Sequence, residues 1–79
     1  MTWNAYVNVK GTGKINESAW NEIKKWADID QVWTCSGHWD CLVKLKPSVD
    51  SFEKVKKVVA AMREQNWISE TSTWWAQAL

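Results

Sequence analysis

Two cysteines and one histidine are all the thiol and imidazole metal ligands this 79-residue sequence offers. Cys35, His38 and Cys41 form a C-x2-H-x2-C triple, one ligand short of the four that a structural zinc site takes. An aspartate or a second subunit would have to complete the shell, so no metal and no cofactor are expected. One bridge between two cysteines would not make a disulfide framework either. The opening residues, MTWNAYVNVK, alternate polar and apolar side chains and lack the basic-then-apolar order of a secretion signal. The expectation is a cytoplasmic chain whose thiols stay free and pack as small apolar side chains.

Long apolar runs are also missing. None approaches the roughly 20 residues of a membrane span, so no membrane partner is expected. Nor does one charge dominate: ten basic residues face nine acidic ones, a formal net charge of +1. Nucleic-acid-binding domains gather basic residues on one face. Here Lys24 and Lys25 sit beside Glu22, and Lys54, Lys56 and Lys57 beside Glu53, as on solvated helix surfaces. The RNP pattern of RNA-binding sheets is absent, so direct nucleic-acid contact is not expected. GTGK at 11–14 has two glycines without the spacing or the Lys-Ser/Thr end of a phosphate loop. Asp28, Asp30 and Asp40 are scattered, and no third group orients His38 toward Cys35 or Cys41 as a base would require. Catalysis is not expected.

What the chain has in excess is tryptophan: eight, against one phenylalanine and one tyrosine. A single domain of this length hides only about 60–65% of its unfolded surface. That is little room for so many large rings, and some of them should lie in an interface between copies.

Hydrophobic periodicity gives the order of elements. Trp3, Ala5, Val7 and Val9 alternate with Asn4, Tyr6 and Asn8, the period of a strand. After the glycine turn, Ala19, Trp20, Ile23, Trp26 and Ala27 fall at helical spacing, with Asn16 or Ser18 able to cap the start. Val32–Ser36 and Cys41–Lys46 read as two strands joined by SGHWD, a hairpin turn or bulge. Pro47 ends the second of them. Asp50 with Glu53 reads as a capping box opening a helix whose buried stripe is Phe52, Val55, Val58, Val59 and Met62. Ile68 to Ala76 closes the chain as a strand rich in β-branched and aromatic residues. The sequence predicts an α+β, ferredoxin-like βαββαβ domain over 1–79: a four-stranded antiparallel sheet with both helices on one face. Tyr6, Leu42 and at least one of Trp74 and Trp75 should lie on the face without helices.

VWTCSGHWDCLVKL, residues 32–45, carries a hydrophobic strand, a glycine, two residues, an aspartate and a second hydrophobic strand. This resembles the core of the ligand-binding domain of the Lrp/AsnC family of amino-acid-responsive regulators. AYVNVK resembles the family's first strand and VDSFEKVKKVVAAM its second helix. ISETSTWW resembles its closing V-x-x-T-x-T strand, with Thr71 and Thr73 at the threonine positions. Two departures accompany the likeness. The helix-turn-helix domain of the family's regulators has no counterpart here, so the expectation is a stand-alone domain. Trp33, Trp39, Trp74 and Trp75 also occupy places where the family carries smaller residues.

The resemblance implies that two such domains pair through their sheets and that pairs join into larger rings. It also implies a small effector, typically an amino acid, held by Gly37, His38, Trp39, Asp40, Thr71 and Thr73. In that reading Gly37 gives backbone clearance and Asp40 accepts from an ammonium group. The plainer role for Asp40 is to tie the turn together. The function expected is a homo-oligomeric effector-sensing module acting through a partner. A small dimeric ferredoxin-like enzyme or ligand-binding protein, with His38 and tryptophans lining a pocket, is the alternative. A purely structural assembly module is the other.

Overall fold

A computed structural model describes residues 3–13 and 17–79 of the chain. The elements are β1 (Trp3–Gly11), α1 (Glu17–Lys24), β2 (Ile29–Thr34), β3 (Cys41–Leu45), α2 (Phe52–Arg63) and β4 (Ile68–Gln77). The strands form one antiparallel sheet in the order β2-β3-β1-β4. This is the ferredoxin-like arrangement, with β1 and β3 central and β2 and β4 at the edges.

The core grows from the alternation of the two central strands. Ala5, Val7 and Val9 of β1, and Cys41, Val43 and Leu45 of β3, are all 0% exposed. Paired residues share a face, and Val7 lies opposite Val43 as Val9 lies opposite Cys41. The helices close over this seam with Trp20 and Ile23 from α1 and Val55, Val58 and Met62 from α2. Trp20 packs edge-on against Trp67, with ring centroids 4.9 Å apart.

The first helix is shorter than its periodicity suggests. Past Lys24, the N–H groups of Lys25 and Trp26 donate to carbonyls three residues back, a tightened last turn. Ile29 N–H then donates to the Trp26 carbonyl, and Ile29 enters the core at 4% exposure as the first residue of β2. That burial starts the strand three residues before the expected Val32, and it ends at Thr34 rather than Ser36. The second helix leaves by the same device, with Ile68 N–H donating to the Gln65 carbonyl. In both edge strands one residue is skipped in the pairing right after the isoleucine, Asp30 in β2 and Ser69 in β4. The two halves of the chain therefore repeat one helix-to-strand joint.

The start of α2 departs from the expected capping box. Ser51, in extended geometry, is the N-cap, and its Oγ accepts from Lys54 N–H at 3.3 Å. Lys54 is the third helical residue after Ser51, a position whose N–H an N-cap side chain ordinarily takes. Asp50 instead pairs through Oδ1 with Lys54 Nζ at 2.9 Å. That hydrogen bond and the charge behind it hold the Asp50 carboxyl below its usual range. Phe52, expected in the buried stripe, is 68% exposed, and Val59 is half-buried. Asn16, the other expected cap, lies outside the described residues.

Ser51→Ala should lower stability by about 0.5–2 kcal/mol, read as a lower Tm in thermal unfolding at neutral pH. Asp50→Ala, which removes only a solvent-exposed pair, should have the smaller effect. A larger loss from Asp50→Ala would return the cap to Asp50.

Candidate functional site

The connection from β2 to β3 is held shut by Asp40. Cys35 N–H donates to the Asp40 carbonyl at 2.9 Å, and Asp40 N–H donates to the Val9 carbonyl at 2.9 Å. The Asp40 carboxylate reaches further: Oδ2 accepts from Gly11 N–H at 2.7 Å, in a partly buried setting. The turn is thus bolted to the end of β1 across 29 residues of sequence. The approach is close enough that a side chain at position 11 would be tight. A Cβ there would stand 3.3 Å from the Trp67 carbonyl oxygen, a backbone atom, and 3.5 Å from Asp40 Oδ2. Gly37, at φ +97°, takes the left-handed conformation that lets the turn close.

His38 and Trp39 sit on the outside of this clasp. Lys10 Nζ donates to the His38 carbonyl at 3.0 Å, and His38 Nε2 lies 3.6 Å from Glu70 Oε2. Both side chains of that pair are more than half exposed, so the contact adds little stability. The His38 ring meets Trp39 edge-on at 4.9 Å.

Cys35 and Cys41 are both free, Cys35 exposed and Cys41 buried. Burial, reinforced by the neighbouring Cys35 and Asp40, pushes the Cys41 thiol up to about 12. A thiol so resistant to ionisation is no nucleophile at neutral pH. Among the described residues, no three His, Cys, Asp or Glu side chains converge on a metal-sized space.

The two threonines take different positions from the turn. Thr71 pairs with Val9 and Thr73 with Val7, so both point to the helix-covered face of the edge strand β4. Thr73 lines a groove of about 690 Å³ between β4 and α2, with Phe52, Val59, Trp75, Lys56 and Arg63 among its walls. The structure therefore divides the six sequence-predicted site residues. Gly37, His38, Trp39 and Asp40 form the turn at the end of β1, Thr71 lies across β1 from that turn, and Thr73 belongs to the groove. Sequence reasoning missed the groove. Its signal was the stripe of Phe52, Lys56, Val59 and Arg63, flanking the buried stripe at helical spacing.

The opposite face of the sheet has no helix over it. Tyr6 and Trp74, cross-strand partners, stack there with centroids 4.8 Å apart and planes 14° from parallel. Leu42 and Trp33 are paired on the same face, and Trp33 and Trp74 are 37% and 41% exposed. Trp74 rather than Trp75 is the ring of that pair on the open face, since Trp75 pairs with Ala5 above the core.

A four-stranded ferredoxin-like sheet, open on one side and latched by a glycine–aspartate turn, defines the class of domain. Solved structures place it more narrowly. TTHA0845 from Thermus thermophilus superposes with a TM-score of 0.81 at 16% identity, covering 99% of this chain and 96% of that one. AsnC from E. coli gives 0.80 at 14% identity, covering 98% of this chain and 52% of AsnC. A transcriptional regulator from Neisseria meningitidis, in complex with L-Met, gives 0.75 at 11% identity, covering 96% of this chain and 50% of the regulator. This chain thus spans about half the length of the two regulators. No protein-family model and no curated protein matches the sequence. The fold is the one these structures share, and in AsnC it accounts for about half of the chain.

Asp40→Ala should cost about 1–3 kcal/mol, because it strands the partly buried Gly11 N–H. A lowered Tm, with the far-UV circular dichroism of the folded protein retained, is the expected result. For the thiols, iodoacetamide at pH 8 should alkylate Cys35 in the folded protein and spare Cys41 until the protein unfolds. Peptide mass spectrometry reads both positions, and equal labelling would contradict the burial of Cys41.

Proposed function

We propose that this protein is a non-catalytic, cytoplasmic effector-sensing module. It self-associates through its open sheet face, binds an amino acid or a similar small molecule, and modulates transcription or metabolism through a partner. The observation that carries the reading is the uncovered face itself. A domain this small that leaves stacked Tyr6 and Trp74, with Leu42 and Trp33, outside its core gains by pairing that face with a second copy.

The effector half of the reading draws on the turn and on the fold. One oxygen of Asp40 holds Gly11 N–H, and the other is available to an ammonium group, with His38 and Trp39 beside it. Thr71 lies on the strand across β1 from the turn, and Thr73 opens onto the groove between β4 and α2. The similarity to a regulator solved with L-Met supports an amino-acid ligand.

Light scattering at micromolar concentration should give at least a dimer mass, and Trp74→Lys should shift it toward the monomer while the chain stays folded. In a thermal-shift screen of amino acids, a ligand at about 100 times its Kd stabilises by about 2.7 kcal/mol. A domain of this size would show that as a Tm rise of roughly 10–20 °C. A monomer mass that does not change with concentration would sink the association half. A flat screen would sink the effector half.

A further inference from the structure

We infer that the groove between α2 and β4 is a seat for a small carboxylate with a hydrophobic body, an aromatic or branched amino acid or the corresponding 2-oxo acid. The inference rests on the effector-binding reading above and goes beyond it, seating the ligand's carboxylate in this groove rather than its ammonium at the Asp40 turn.

The groove's volume, about 690 Å³, falls within the range of small-molecule sites. Its floor and walls are apolar: Val55 is buried, Val59 and Trp75 are half-buried, and Phe52 stands 68% exposed at the rim. An exposed phenylalanine at the first turn of the helix and a half-buried tryptophan on the strand give the groove an aromatic lining. Charge decides the ligand's sign. Among the described residues, Lys56 and Arg63 are the charged ones lining the groove, and no carboxylate lines it. Both stand on one side of α2, seven residues apart, which is about 10 Å along the helix. Lys56 Nζ lies 5.5 Å from the Phe52 ring centroid, so the cation already leans over the aromatic rim. The Thr73 hydroxyl is a polar group on the opposite wall. An anion is attracted from either end, whereas a cation of the same shape meets two positive charges and no counter-charge. The carboxylate is placed at Lys56 or Arg63, and the hydrophobic body lies against Val59 and Trp75.

The test is calorimetric titration of the intact protein with phenylalanine, phenylpyruvate and phenethylamine, which share a body and differ in charge. The two carboxylates should bind and phenethylamine should not. If phenylpyruvate binds and phenylalanine does not, the seat takes the 2-oxo acid. Lys56→Gln with Arg63→Gln should weaken binding roughly tenfold to a hundredfold, the effect of losing a charge-assisted hydrogen bond. Both residues are exposed, so the variant should keep the parent's circular dichroism. Asp40→Ala serves as the contrast. Binding that survives the groove variant and disappears with Asp40→Ala would overturn the groove assignment and leave the effector reading in place. Binding of phenethylamine as tight as that of phenylalanine would overturn the carboxylate chemistry. No heat from any of the three, together with a flat amino-acid thermal-shift screen, would remove both the groove and the effector reading.

Discussion

The two central strands carry the rest of the molecule. Their inward residues are alanine, valine, cysteine and leucine, short enough for two brief helices to close over them, and every one of the six is fully buried. A slip of one residue in either strand would turn that set outward and bring Asn4, Tyr6, Asn8, Leu42 and Lys44 into the core. Register is therefore fixed by burial. Everything that distinguishes the two sides of the sheet follows from it: helices and groove on one side, stacked aromatic rings on the other.

Asp40 depends on that register and also reinforces it. Its backbone extends the pairing between the ends of β1 and β3, and its carboxylate crosses to Gly11, where β1 ends. The bracing bond uses one of the two oxygens of the side chain. Of the remaining residues of the turn, Ser36, Gly37 and His38 are exposed and Trp39 is half-buried.

Much of the fold was legible because burial here follows simple periods. Ala5, Val7, Val9, Cys41, Val43 and Leu45 announce two strands with one buried face, and Val55, Val58 and Met62 announce the helix over them. The errors fell where one residue could serve two neighbours. Asp50 and Ser51 are both good caps, and only the distance to the Lys54 N–H separates them. Ile29 fits the end of a helical pattern as well as the start of a strand, and its burial beneath the sheet decides the matter. Phe52 keeps the helical spacing of the core stripe yet lies beyond the end of the covered surface. The turn was visible in sequence as a glycine and an aspartate, but its partner Gly11 was not, since nothing local links residues 29 apart. The groove was hidden for a similar reason, because its two walls come from α2 and β4.

The repeated joint at Ile29 and Ile68 changes what the two edges of the sheet offer to another strand. Each edge strand of the sheet offers a row of backbone groups to any passing strand, and β4, at ten residues, is a long template with neither proline nor lysine in it. The skipped residues Asp30 and Ser69 interrupt the ladder near the start of both edges and add local twist. Ser69 also donates its hydroxyl to the Lys10 carbonyl at 3.1 Å, and Asp30 sits 3.6 Å from Lys44. Edge-to-edge growth, which would string molecules into an open fibre, meets a kink at one end of each strand.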